Sequence, residues 1–232
     1  MPSLAGIRYR LRLIGAALSA PFDKLYCYPQ TSTGLFDFLG PLFSNLPVVP
    51  ADLAAVALPD DLGAKVIRSS EPEVARTLYV LARLLSATRI VEVGVYRGAT
   101  SRFLARALAD CRGGTLHQVD LCPEALATAR ATVGQLPSVQ VISHRGLSTA
   151  PEVLAAVPEG CDLIYLDADH SERGVESELR CWLPKVRPGG LISIHDTINV
   201  PGVCRAVHRY ADSHRTLTMA TGRGSGITLI QG

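Results

Sequence analysis

The stretch R-I-V-E-V-G-V-Y-R-G-A-T, Arg89 to Thr100, decides the fold. It is an apolar β run carrying Glu92, then two glycines, Gly94 and Gly98, then the start of a helical pattern opened by Thr100 and Ser101. That order is the strand, loop and helix at the head of a nucleotide-binding type of α/β fold. Glycines let the backbone approach a ligand closely, and a helix N-terminus offers unpaired N–H groups. The spacing is G-x-x-x-G, so it is neither the dinucleotide G-x-G-x-x-G nor a phosphate loop with its Gly-Lys-Ser/Thr.

The sequence downstream strengthens this reading. Ser101 to Ala109 reads as a helix with Phe103, Leu104, Ala107 and Leu108 on one face. Gly113-Gly114 break the chain, and Thr115 to Leu121 (T-L-H-Q-V-D-L) reads as a second strand ending in Asp120. An acid about 20 residues beyond a glycine loop, at the end of the second strand, suits a ribose diol, because a carboxylate accepts hydrogen bonds from both hydroxyls. The alternative is that Asp120 caps the helix that begins near Pro123.

The second informative stretch runs from Cys161 to Asp196. It reads C-D-L-I-Y-L-D-A-D-H, then a helix, then L-P-K-V-R-P-G-G-L-I-S-I-H-D-T. Two apolar strands end in acidic and histidine residues: Asp167, Asp169 and His170 after the first, His195 and Asp196 after the second. Parallel strands bring their C-terminal ends to one edge of the sheet, where ligands bind in doubly wound folds. Asp167 and Asp196 are therefore expected to converge. Two facing carboxylates repel unless a cation lies between them, and Mg²⁺ is the usual occupant of a site with few carboxylates and several waters. The alternative is that these acids are helix caps and loop surface. For Asp169, followed by S-E-R, the cap is the preferred reading.

The ordered set V-E-V-G-x-x-x-G, Q-V-D-L, L-I-Y-L-D-A-D-H and R-P-G-G-L-I-S-I-H-D resembles class I S-adenosylmethionine-dependent methyltransferases, and more narrowly their metal-dependent O-methyltransferases. The D-x-x-H spacing followed by H-D is similar to the sugar-hydroxyl branch typified by macrocin O-methyltransferase. The resemblance covers Ser70 to the C-terminus. It implies that Asp167 and Asp196 hold magnesium and that His170 is the base. It also implies that S-adenosylmethionine contacts Glu92, Gly94, Gly98, Thr100, Ser101, Asp120, Ser148 and Asp167. Catechol-type relatives carry Lys where His170 stands and Asn where Thr197 stands. The macrocin-like branch carries an acid where His195 stands, which leaves the third protein ligand open between His195 and water. Imidazole is a softer ligand than magnesium prefers, so a contact of His195 with substrate is the other possibility. Many relatives carry an acid at the end of the third strand for the adenine amine. Here that strand ends S-H-R-G-L-S, which leaves the backbone or Ser148 for the contact.

The remaining elements fit a seven-stranded, doubly wound α/β fold, mostly parallel. Val139 to Ser143 reads as the third strand, with helices over Ser148 to Val157, Val175 to Leu183 and Pro201 to Ser213. Thr216 to Thr221 and Gly226 to Ile230 flank a G-R-G-S-G turn and suit an antiparallel hairpin. Ser70-Glu71-Pro72-Glu73 reads as a capping box with Ser70 at the N-cap, ahead of a helix bearing Val74, Leu78, Leu81 and Leu85 on one face. Residues 70–232 thus read as the cofactor-binding domain. Residues 1–69 read as an extension packed over the site, rich in Pro, Gly and Asp between residues 30 and 62.

Composition agrees with this reading without deciding it. A net charge of +2 argues against nucleic acid or an anionic membrane as partner, and no apolar run reaches the length of a spanning helix. Arg8, Arg10 and Arg12 before L-I-G-A-A-L-S-A faintly imitate a signal peptide, but the apolar run is short and interrupted. The six cysteines contain no C-x-x-C pair and read as small buried groups in a reducing cytoplasm. A homo-oligomer is left open. The expected reaction is methyl transfer to a hydroxyl of a small molecule, a sugar or polyol. Aromatic residues at 6% offer few stacking groups for a flat acceptor, although Tyr26, Tyr28, Phe36 and Phe38 lie in the N-terminal segment. A catechol-type enzyme and a non-catalytic S-adenosylmethionine-binding module are the competing classes.

Overall fold

The computed structural model describes residues 50–54, 70–211, 213–221 and 224–232. The extension expected over residues 1–69 lies outside the described residues, apart from the helical turn α1, Ala51–Ala54. The chain then alternates as α2 (Pro72–Leu84), β1 (Arg89–Val93), α3 (Ala99–Asp110), β2 (Gly114–Asp120), α4 (Pro123–Val133), β3 (Val139–Arg145), α5 (Pro151–Ala156), β4 (Cys161–Leu166), α6 (Glu172–Trp182), β5 (Val186–His195), α7 (Pro201–Ala211), β6 (Thr216–Met219) and β7 (Ile227–Gln231). The strands form one sheet in the order β3-β2-β1-β4-β5-β7-β6. The first five are parallel, and β7 runs antiparallel to both β5 and β6, as the hairpin signal predicts.

The sheet is apolar on both faces because it is covered on both. Successive residues of β4 alternate between two cores: Leu163 and Tyr165 face α2 and α3, while Ile164 and Leu166 face α6 and α7. This period of two, with both phases apolar, is the mark of a central parallel strand. Val74, Leu78 and Leu81 of α2 are all buried, as their helical spacing predicts. Trp182 of α6 fills the opposite layer.

The capping box expected at Ser70 does not form. Glu71 occupies the N-cap without a side-chain cap, and Pro72 takes the first helical position. Proline needs no partner for a missing N–H there, so the helix starts on backbone geometry alone. Ser70 and Glu71 direct their side chains into the centre of the molecule instead.

Asp162 ties the buried edge of the sheet together. Its Oδ2 accepts from the backbone N–H groups of Thr88 at 2.8 Å and Arg89 at 2.9 Å, while Oδ1 accepts from Arg187 Nε at 2.5 Å. It thereby fixes the α2–β1 connection to β4 and β5. The Arg187 and backbone hydrogen bonds outweigh the burial that opposes ionisation, and they hold its carboxyl below the ordinary value. Removing it leaves the part-buried N–H groups of Thr88 and Arg89 and the Arg187 guanidinium without their acceptor, and losing hydrogen bonds of this kind costs about 1–3 kcal/mol each. Asp162→Ala is therefore expected to lose about 3 kcal/mol in urea unfolding, and Asp162→Asn, which keeps an acceptor, distinctly less. Equal loss in the two variants would show that the acceptor role does not matter.

Candidate active site

The strand order reverses between β1 and β4, and a cleft of about 1000 Å³ opens over their C-terminal ends. Gly94 closes β1 with φ 85°, and a Cβ there would stand 2.3 Å from the backbone oxygen of Asp167. Gly98, the N-cap of α3 with φ 76°, is pressed against Ala129 of α4, where a Cβ would meet its Cα at 2.5 Å. The glycine loop is thus fixed by contact with two neighbouring elements.

Asp120 stands at the wall of this cleft, at the end of β2. One oxygen accepts from Val95 N–H at 3.0 Å and the other from Cys122 N–H at 2.9 Å. It therefore anchors the glycine loop and the start of α4, and each oxygen retains a lone pair for a diol. Thr100 lies on the cleft wall. Ser101 does not: it is fully buried, donates to Glu92 and accepts from Gln118 Nε2 at 2.9 Å. Its role is to hold Glu92, which does reach the cleft. Burial pushes the Glu92 carboxyl up to about 8.

Asp167, His170, His195 and Asp196 meet at the β4 and β5 ends, as the sequence predicts. Asp167 Oδ2 accepts from Ser70 Oγ at 2.8 Å and from Tyr165 OH at 3.0 Å, and its Oδ1 lies 3.3 Å from His195 Nδ1. His170 Nε2 stands 2.8 Å from Asp196 Oδ2 and 3.8 Å from Asp167 Oδ1. Asp196 is held with φ 59°, a conformation that costs free energy for a side chain with a Cβ. Potential ligand atoms of Asp167, His170 and Asp196 all lie within 4.8 Å of one another. His195 sits deeper. Its Nε2 is 2.7 Å from Glu71 Oε2, and Glu71 Oε1 accepts from Thr221 Oγ1 at 2.7 Å. Burial opposes a charge on His195, but Asp167, Glu71 and Asp196 outweigh it and raise its pKa to about 11. Burial likewise opposes charge on Glu71, but His195 and Thr221 overcome it and hold the carboxyl down at about 2.

The far end of the cleft is built from Gly146, Leu147 and Ser148 after β3, Leu121 after β2, and Glu178 of α6. Ser148 Oγ donates to Glu178 Oε1 at 2.6 Å. Leu121 and Leu147 are the two large apolar side chains left exposed among the described residues, at 61% and 59%. Asp169 accepts from Ser171 N–H at 2.7 Å in the loop before α6, but it is not the cap preferred from sequence: the N-cap is Ser171, whose Oγ accepts from Gly174 N–H at 3.1 Å.

Sequence reasoning did not find Ser70, Glu71, Thr221 or Glu178. The first two were disguised as helix punctuation. Glu178 carried a signal: with Val175, Leu179 and Trp182 it lies on the apolar stripe of α6, where a carboxylate has no reason to be unless the stripe reaches a polar site.

Residues 91–197, a little under half of the chain, match the family model described as a methyltransferase domain. A protein of Mycobacterium sp. (strain JLS), provisionally named an O-methyltransferase, is 33% identical over 58% of this chain and 59% of its own length. A catechol O-methyltransferase of Niastella koreensis is 28% identical over 56% of this chain and 58% of its own. The chain thus spans less than two thirds of the length of these curated relatives. Among solved structures, the O-methyltransferase TomG from Streptomyces achromogenes, in complex with S-adenosylmethionine, superposes with a TM-score of 0.61 at 20% identity, covering 82% of this chain and 93% of that one. An O-methyltransferase from Bacillus cereus in complex with S-adenosylhomocysteine gives 0.60 at 17% identity, over 88% and 100%. The architecture is the Rossmann-like methyltransferase fold, with a mostly parallel seven-stranded sheet and antiparallel C-terminal strands.

The raised Glu92 carboxyl makes stability depend on pH. Between its ordinary value of 4.5 and about 8 the folded protein keeps a proton that the unfolded chain gives up. The folded state then binds more protons, so this contribution to stability falls as pH rises, by up to about 1.4 kcal/mol per pH unit. Glu92→Gln has no such proton. The stability of the wild type relative to this variant should decline from about pH 5 to about pH 8 in urea unfolding, and a flat difference would refute the burial argument.

Proposed function

We propose that the protein is an S-adenosylmethionine-dependent O-methyltransferase that needs a divalent metal ion and acts on a hydroxyl of a sugar or other polyhydroxylated metabolite. The observation that carries this reading is the convergence of Asp167, His170 and Asp196 beside a cleft that runs from the glycine loop to Asp120. The relatives named O-methyltransferases and the cofactor-bound structures of the same fold support it. In this reading the cofactor's amino-acid end lies by Glu92, Gly94 and Thr100, its ribose by Asp120 and its base by Ser148.

The donor set fits a hard divalent ion. Two carboxylates and an imidazole lie close together at the mouth of the cleft, and His170 is 44% exposed, which leaves room for water ligands. Asp167 and Asp196 would hold Mg²⁺, while His195, expected from sequence as a possible third ligand, has both ring nitrogens committed to Glu71 and Asp167 and stands behind them as their counter-charge. When bound, the ion supplies Lewis acidity that lowers the pKa of the acceptor hydroxyl.

The chain's own residues do the rest. A sulfonium methyl is already electrophilic, so the main demands are alignment and removal of one proton. Asp196 anchors His170 through Nε2, which leaves the lone pair of the neutral ring on Nδ1. His170 takes the hydroxyl proton as the oxygen–carbon bond forms. The carbon–sulfur bond breaks with its electron pair going to sulfur, which releases neutral S-adenosylhomocysteine. His195, Glu71 and Ser70 keep Asp167 in place from behind.

The acceptor end favours a polar substrate. Its walls are Asp167, His170, His195, Asp196, Asn199 and Ser225, and among the described cleft residues Tyr96 is the one aromatic of the Phe, Tyr and Trp kind. A catechol acceptor is the second reading, favoured by the name of the Niastella koreensis relative. The supply of S-adenosylmethionine inside cells makes the cytoplasm the expected compartment.

Methyl release from S-adenosylmethionine, assayed against a panel of sugars, polyols and catechols, should stop in EDTA and return with Mg²⁺. Full activity after exhaustive dialysis against EDTA would remove the metal from the mechanism, and turnover confined to catechols would replace the sugar reading. Loss of a general base costs about 10²–10⁴ in rate. His170→Ala should therefore lose about a hundredfold or more in kcat, with affinity for S-adenosylhomocysteine changed only a few-fold. A variant that keeps more than about a tenth of the wild-type rate would exclude His170 as the base.

A further inference from the structure

The base end of the cleft contains a polar arrangement that methyl transfer does not use. Glu178 lies on the apolar stripe of α6 and is 2% exposed, yet it lines the cleft beside Gly146, Leu147 and Ser148. Its Oε1 accepts from Ser148 Oγ at 2.6 Å, while Oε2 is buried with no hydrogen-bond partner among the described residues. A serine hydroxyl has one proton and two lone pairs. When that proton is committed to Glu178 Oε1, only acceptor capacity remains for the cleft.

We propose that Glu178 is a specificity-positioning residue: by holding the Ser148 proton it makes Ser148 an obligate acceptor, which selects a ligand base with an exocyclic amine, as in adenine, against one with a carbonyl at the same position, as in hypoxanthine. This inference rests on the reading of the cleft as an S-adenosylmethionine site. The exposed side chains of Leu121 and Leu147, on the loops that follow Asp120 and Gly146, give a flat heterocycle apolar surface at this end. The loop after β3, Gly146-Leu147-Ser148, carries no acid, and Ser148 is the polar side chain it offers to such an amine. Glu178, from α6, fixes the direction of that hydroxyl. A carbonyl edge meeting Ser148 would set lone pairs against lone pairs, and a buried polar group left unpaired is the costly outcome in recognition.

The test is calorimetric binding of S-adenosylhomocysteine and of its 6-oxo counterpart, S-inosylhomocysteine, to the 232-residue chain and to Glu178→Met and Ser148→Ala. Methionine matches the glutamate stem without an acceptor, so in Glu178→Met the Ser148 hydroxyl is free to turn and donate. The wild type should prefer the amine by about tenfold or more. In both variants the preference should fall to within about threefold, through tighter binding of the oxo ligand in Glu178→Met and weaker binding of the amine ligand in Ser148→Ala. Equal binding of the two ligands by the wild type, or an undiminished preference in either folded variant, overturns the inference and leaves the cofactor reading intact. If Glu178→Met fails to fold, Ser148→Ala decides alone. Binding of neither ligand by the wild type overturns the cofactor reading itself.

Discussion

Gly94 has no side chain because the chain of β4 occupies the space a side chain would need. The missing Cβ would lie 2.3 Å from the backbone oxygen of Asp167, and Asp167 N–H in turn donates to Val93 O at 2.9 Å. The ends of β1 and β4 are therefore in direct backbone contact, where the winding of the parallel strands changes direction. That contact joins the two halves of the site. It sets Asp167 against the glycine loop, and through the β4–β5 pairing of Leu166 with Ile194 it brings His195 and Asp196 alongside. A bulkier residue at position 94 would push the carboxylate cluster and the loop apart, because their backbones touch there.

What the contact assembles is a charge problem with an internal solution. Glu71, Asp167 and Asp196 surround His195, and the buried imidazole is the cation that lets them coexist. Coulombic attraction exceeds desolvation here because three acids share one ring whose two nitrogens both face carboxylates. The neutral members complete the pattern. Tyr165 is fully buried and its hydroxyl is pushed well above the ordinary value, first by burial and then by Asp167, so it serves as a donor. Ser70 donates beside it. Asp167 thus receives neutral donors on one oxygen and a charged ring near the other, and it faces the cleft in a fixed orientation.

Much of this was legible in the sequence, for physical reasons that differ by element. The strands of the central sheet are buried on both faces, so their unbroken apolar runs and their terminal acids stand out from the rest of the chain. The glycines at 94 and 98 mark close approaches that no other residue permits. What escaped was whatever looked like ordinary helix grammar. Ser70-Glu71-Pro72-Glu73 satisfies the capping rule as text, but Pro72 starts the helix unaided and frees both polar side chains for Asp167 and His195. Thr221 sits near the hairpin turn and reads as turn chemistry, although its hydroxyl donates to Glu71 and accepts from Gly226 N–H at 3.0 Å. Such long-range pairings have no local signature.

Packing does not account for Glu178, because the fold gains nothing from a carboxylate there. α6 already buries Val175, Leu179 and Trp182 on the same face, and burial raises the Glu178 carboxyl to about 7, which means that the site disfavours its charged form. An apolar side chain of similar volume at a buried position of this kind is commonly neutral or stabilising. Glu92 has the same character: it is buried, its pKa is raised, and Ser101 holds it on the inner wall of the cleft. Two costly acids at opposite ends of one cavity, each held by a serine and neither needed for packing, point to the cavity as the reason for both. Stability is spent where the cleft must present a defined pattern of polar groups: Ser148 with Glu178 at one end, and at the other Glu92, fixed from behind by the buried Ser101.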